Sequence, residues 1–262
     1  MIGIGLGLTL ARRGASAPAW TPDTPGTPAW WHEVALGRVW QDTAGTVAAT
    51  TAGHPVARID ARQGTNFTQA TGSLQPYLTP LGNGWAVRSD DVDDNLGSSA
   101  TFAAGAKTLA TIFEIFSAPS STGNETLLRL GLGPQQIVVR HSGLSASSAK
   151  GWHVAVDRTS TTAACIQAST GAALLANGVH TLVVRYDGTG TASAAAYRLW
   201  LDGVEVTAAT GGNVAASGNT RWLATSTPSE VANAAVRESI VWTSALSPAD
   251  CAAAAAYLEA KR

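Results

Sequence analysis

Few residues in this 262-residue chain are spaced for covalent chemistry. Retaining hydrolysis of a glycosidic bond needs two carboxyl groups about 5 Å apart, which a strand supplies as acidic residues at alternate positions. Glu114, Glu125, Glu205, Glu230 and Glu238 each stand alone. There is no Gly-x-Ser-x-Gly turn to present a nucleophilic serine, and the five histidines are scattered without partners. No catalytic residue is therefore assigned, and the expectation is a protein that is not an enzyme. The run Asp90, Asp91, Asp93, Asp94 and Asn95 has oxygen ligands of the kind calcium takes, without the spacing of an EF-hand. Asp and Asn also form turns by bonding their own backbone. Turn formation is the stronger reading, and calcium is the one cofactor considered.

Binding chemistry is read from strand parity. In Tyr197 to Asp202 the face with Tyr197, Leu199 and Leu201 reads as buried, which turns Arg198 and Trp200 to the other face. A tryptophan beside an arginine suits sugar stacking and hydrogen bonding to hydroxyls. By the same parity Arg129, Arg140, His153 and Arg185 share that face, while Trp152 goes inward with Val154 and Val156. The candidate ligand-binding set is Trp200, Arg198, Arg185, Arg140 and His153. The competing reading is a plain sheet face whose tryptophan is covered by a loop or a neighbouring subunit.

These residues need strands to hold them. Tyr197 to Leu201 and Val204 to Val206 flank Asp202-Gly203, which supplies the positive φ angles of a two-residue hairpin turn. Near the C-terminus Ser247 caps a helix, Pro248 suits its first position, Asp250 faces its positive end, and Leu246 staples to Cys251. The alanines that follow have high helix propensity but little bulk, so Tyr257 and Leu258 must grip the body of the protein. This helix reads as a lid.

Further strands are expected at 108–116, 127–132, 136–141, 152–157, 180–186, 220–224 and 236–242, separated by Gly, Ser and Asn. The fold class is all-β, an antiparallel β-sandwich with a short C-terminal helix and an extended N-terminal arm. Residues 1–31 read as an anchor strand and Pro-rich spacer. Residues 32–262 read as one sandwich domain with a loop-rich lead-in over 32–80. Trp222 and Trp242 are expected in the core, and Trp20, Trp30 and Trp31, near the spacer, are suited to burial at an oligomer interface.

Charged residues make up 13% of the chain and the formal net charge is -1, so no basic field invites nucleic acid. Cys165 and Cys251 are far apart, with no CxxC spacing and no disulfide framework. No apolar run approaches the roughly 20 residues that cross a bilayer, and no membrane insertion is expected. Met1 to Leu10 is apolar, but Arg12 and Arg13 follow it rather than precede it, so the segment reads as retained instead of cleaved as a leader. Ile2, Ile4, Leu6, Leu8 and Leu10 alternate with small residues. The segment therefore either adds to a partner's sheet edge or is the first strand of this chain's own sheet. In the first case Ile2, Ile4, Leu6 and Leu8 are the anchor, followed by a spacer stiffened by Pro18, Pro22, Pro25 and Pro28.

Several blocks occur in a telling order: Val39-Trp40-Gln41-Asp42-Thr43-Ala44-Gly45, Pro55 to Asp60, Gln69-Ala70-Thr71, Leu74 to Leu78, Arg88 to Leu96, His180 to Gly188, Leu201-Asp202-Gly203-Val204, and Ser244 to Asp250 followed by Tyr257-Leu258. Together they resemble bacteriophage and prophage proteins carrying a laminin-G-like, concanavalin-A-like lectin domain. Asp91 and Ser89 depart from that family's usual glycine and aromatic. The start Met-Ile-Gly-Ile-Gly-Leu-Gly-Leu is similar to virion proteins of phages and gene transfer agents. The resemblance implies a jelly roll and a virion structural protein, a head spike, fibre or tail appendage component. Its arm would dock on virion structural proteins, and its sandwich would bind host surface polysaccharide as a homo-oligomer on the particle surface, assembled in the bacterial cytoplasm. A connector that binds no sugar and a secreted glycan-processing enzyme are the alternatives.

Overall fold

The computed structural model describes residues 20–90, 92–99, 101–116, 124–131, 137–142, 151–156, 164–168, 177–189, 194–206, 208–213, 220–223 and 233–262. For strand residues 124, 125, 140–142, 151–156, 164–168, 208–213, 220 and 221 it describes the backbone alone. The anchor residues Ile2, Ile4, Leu6 and Leu8, and Asp91, lie outside the described residues.

The strands in chain order are β1 (Trp30–Glu33), β2 (Val39–Trp40), β3 (Arg58–Ile59), β4 (Phe67–Thr68), β5 (Tyr77–Leu81), β6 (Gly84–Arg88), β7 (Leu96–Ser98), β8 (Lys107–Ile115) and β9 (Asn124–Leu130). They continue as β10 (Ile137–Ser142), β11 (Gly151–Val156), β12 (Ala164–Ala168), β13 (Gly178–Tyr186), β14 (Tyr197–Leu201), β15 (Val204–Val206), β16 (Ala208–Asn213), β17 (Thr220–Trp222) and β18 (Ala234–Trp242), before helix α1 (Pro248–Glu259). One sheet runs β15-β14-β13-β8-β18-β6-β5, with β1 beside β6 on the same edge of β18; the other runs β16-β12-β11-β10-β9-β17-β7-β4-β3-β2. Every named pairing is antiparallel, so the chain is the all-β sandwich expected from its sequence.

The local signals act as expected. Asp202 and Gly203 take φ angles of 48° and 75° between β14 and β15, which the two-residue hairpin requires. Ser247 Oγ accepts from the Asp250 amide at 3.1 Å and caps α1. The core strands fall within a few residues of their expected places. The stretch read as a loop-rich lead-in instead supplies strands to both sheets, because its short strands β2, β3 and β4 lack the long alternating pattern that marks a strand. β1 crosses the boundary expected at residue 31.

The space between the sheets is filled by Leu109, Phe113, Leu182, Val184, Leu199 and Val236 from one side and Ile59, Phe67, Leu128, Val139 and Trp222 from the other. Trp30 lies there at 4.3 Å from His32 and 5.3 Å from Phe67, ring centre to ring centre. A second cluster lies on the outer face of the first sheet, where Ala110, Ile112, Val183, Trp200 and Ile240 pack under Cys251, Ala254, Ala255 and Leu258 of α1. Of the tryptophans near the spacer, Trp30 is buried by its own chain, while Trp20 and Trp31 are half-buried against it. Trp30 is in the core, Trp20 packs on Trp242 and Tyr257, and Trp31 hydrogen-bonds Glu238. The Trp242 indole N–H in turn donates to the carbonyls of Pro22 and Gly26, tying the end of the spacer to the sandwich.

Candidate functional site

The residues expected to form one binding face are divided by the fold. Arg185, Arg198 and Trp200 are on β13 and β14, while Arg140 and His153 are register partners on β10 and β11 of the opposite sheet. Parity is right for Trp200, which does point away from Leu199 and Leu201. The expectation that it meets solvent is corrected: α1 lies over it and leaves it 4% exposed. Arg185 Nε donates to the Leu246 carbonyl at 2.9 Å, holding the entry to α1. Arg198 makes a two-pronged ion pair with Glu205 at 2.7 and 2.8 Å, beside the Trp200 ring. The arginines of this face are committed to the helix and the hairpin. The side chains of Arg140 and His153 lie outside the described residues.

A second expectation is also corrected. Glu238 does not stand alone: it is the register partner of Glu33 across β1 and β18, and Lys261 Nζ lies 2.7 Å from Glu33 Oε1 and 2.6 Å from Glu238 Oε2. Trp31 Nε1 and Tyr257 Oη also donate to Glu238 Oε1, at 2.7 and 3.1 Å. Burial pushes the Glu238 carboxyl up, while the Lys261 ammonium opposes the shift. Burial would also raise Glu33, but Lys261 and Arg62 together hold it low. Glu238 is fully buried beneath Tyr257 and Lys261, so this carboxylate pair fastens the C-terminus to the sheet.

Among the described residues, α1 does not reach one end of the outer face. There, side chains from five strands form a row through successive register partners: Tyr77, Arg88, Ala235, Glu114 and Val179. Phe116, two residues beyond Glu114, points the same way. All but Ala235 are half-buried. Because Ala235 is small, Arg88 leans across β18 until its guanidinium carbon is 3.6 Å from the centre of the Phe116 ring and 5.9 Å from that of Tyr77. Arg88 Nε is out of contact with solvent and has no acceptor. Burial pushes the Glu114 carboxyl up, and the positive charge of Arg88 pulls the other way. Two aromatic rings, a guanidinium and a carboxyl on one open sheet face can stack on a sugar ring and hydrogen-bond its hydroxyls. Sequence reasoning missed this group. Its signal is Glu114, the one acidic residue of β8, at the outward parity position.

Beyond Arg88, Asp90, Asp93 and Asp94 bring carboxylate oxygens within 4.8 Å of one another. Asp90 Oδ1 accepts from the amides of Val92 and Asp93, and Asp94 Oδ2 from the amide of Asp90. These bonds are those of an Asp-rich turn. Burial, then the neighbouring Asp90 and Asp93 charges, push the Asp94 carboxyl up to about 7 against the pull of the Asp90 amide.

No family model and no curated protein matches the chain. Solved structures do match. The sialidase of Trypanosoma rangeli in complex with 2,3-difluorosialic acid, a covalent intermediate, is similar at 11% identity over 95% of this chain and 34% of that one, with a TM-score of 0.51. Another structure of Trypanosoma rangeli sialidase is similar at 12% identity over 86% and 32%, with a TM-score of 0.50. Domain 4 of a GH43 extracellular arabinanase from Geobacillus stearothermophilus, in complex with arabinotriose, gives 12% identity over 85% and 99%, with a TM-score of 0.46.

The chain spans about a third of the length of the sialidase chains it matches. At such identities the likeness is one of fold alone. The expectation of a protein that is not an enzyme is corrected by this finding, since the solved chains with this fold include sialidases.

Proposed function

We propose that this protein recognises glycans, and that it does so as a surface component of a bacteriophage or gene transfer agent particle that meets host surface polysaccharide. The observation that carries the glycan reading is the half-buried row of Tyr77, Arg88, Glu114 and Phe116, beyond the part of the sandwich face that α1 covers. The fold, shared with chains from glycan-handling proteins, supports it. The particle role rests on the ordered motifs resembling phage lectin-domain proteins and on the alternating apolar start of the chain. In this reading Met1 to Leu10 dock on virion structural proteins, and many copies of an oligomer turn weak single sites into useful avidity.

The test is binding of the intact protein to a panel of purified bacterial surface polysaccharides, with Phe116→Ala and Tyr77→Ala alongside. Loss of a stacking ring is expected to weaken binding about tenfold, which corresponds to about 1.4 kcal/mol. Release of reducing ends in the same mixtures reads out hydrolysis separately. Binding to no polymer, with the variants folded, would move the reading to a connector within the particle.

A further inference from the structure

We infer that the sugar received on this face carries a carboxylate, bound by the Arg88 guanidinium. The inference rests on the glycan-binding reading above and narrows it to acidic polysaccharide. Five other arginines have acceptors for their guanidinium groups: Arg58 and Arg62 meet Asp60 and Glu33, Arg198 meets Glu205, and Arg185 and Arg237 meet backbone carbonyls, although the Nε of Arg237 has none of its own. Arg88 differs. Among the described residues no oxygen accepts from it, although its Nε is removed from water and its guanidinium is seated on Phe116. A desolvated donor without an acceptor is unfavourable by itself, and a fixed fork of N–H donors on an aromatic ring is a preformed receptor for an anion.

The surroundings select the kind of anion. Glu114 shares the face with Arg88 as a fellow register partner of Ala235, near enough for their charges to interact but not ion-paired with it. A second negative group close by disfavours a dianion such as a phosphate monoester. It suits a singly charged, planar carboxylate, which the guanidinium fork matches with two parallel hydrogen bonds. Glu114 is then placed for a hydroxyl of the same sugar, and Tyr77 and Phe116 for its apolar face. A hexuronic acid unit meets all three demands.

The experiment is calorimetric titration of the intact protein with a uronic-acid-containing capsular polysaccharide, before and after chemical reduction of its carboxyl groups to primary alcohols. A sulfated polymer and neutral polymers are run in parallel. The native polymer is expected to bind at least tenfold more tightly than its reduced form. Arg88→Gln should lose that difference, binding the native and the reduced polymer equally, and Arg88→Lys, which keeps the charge without the fork, should recover only part of it. Equal binding of native and reduced polymer overturns the inference and leaves glycan recognition standing. Equal binding of the sulfated polymer overturns the assignment to a carboxylate. Failure to bind any polymer overturns both readings. Unchanged thermal melting of Arg88→Gln separates loss of binding from loss of fold.

Discussion

Glu33 and Glu238 stand directly opposite one another on β1 and β18 and share a single ammonium, that of Lys261, at 2.7 and 2.6 Å. Like charges in register on neighbouring strands repel. Here they are tolerated because the penultimate residue of the chain returns across the outer face to neutralise them. Arg62, 2.6 Å from Glu33, makes the group two acids and two bases. The arrangement locks α1 onto the sheet from its C-terminal side.

Lys261→Met is therefore expected to destabilise the protein by about 3–5 kcal/mol, because it leaves the buried Glu238 without its counter-charge. Adding Glu238→Gln should recover part of the loss, since the group left behind is then neutral. Urea unfolding of the two single variants and the double variant measures this coupling, and simple additivity would contradict it.

Trp200→Ala is expected to act on stability rather than on ligand binding. The indole is buried beneath α1, and removing a buried ring of this size costs about 3–5 kcal/mol. The unfolding midpoint should fall clearly, while polysaccharide affinity per folded molecule stays unchanged.

Ser247→Ala removes the side-chain oxygen that accepts from the Asp250 amide, a loss of about 1 kcal/mol. As α1 is the cover over Trp200, its fraying should make the indole fluorescence more open to acrylamide quenching. Quenching equal to that of the unaltered protein would mean that the cap does not hold the cover down.

His32 predicts a dependence on pH. Its ring lies among Trp30, Phe67 and Trp222, and burial pushes its pKa down to about 3. The unfolded chain takes up this proton near 6.5, so between those values the unfolded state binds more protons. The contribution to stability is complete above about pH 6.5 and is lost as pH falls toward 3, at about 1.4 kcal/mol per pH unit. Denaturant unfolding at several pH values, with His32→Phe for comparison, checks this; the variant should show a flatter slope in that window.

Much of the fold was legible because its signals are local. The Asp202-Gly203 turn, the Ser247 cap with Pro248, and the apolar character of 108–116 and 236–242 depend on neighbours within a few residues. The strands β2, β3 and β4 escaped notice because two-residue strands have no period to read. The true open face escaped for another reason. Arg88, Glu114 and Phe116 come together only through Ala235, more than a hundred residues further along the chain, whose small side chain lets the arginine cross β18.

By itself, then, the sequence determined the class of fold, the hairpin, the capped helix and which way each residue of β14 points, since propensity, turn chemistry and the two-residue period act within single elements. Tertiary structure alone decided that Arg140 and His153 join the other sheet, that α1 closes over Trp200, and that Glu238 meets Glu33. Strand parity says only that a side chain points to one of two faces. What covers that face is decided by which strands pair and where the helix lands, and those follow from contacts between residues far apart in the chain.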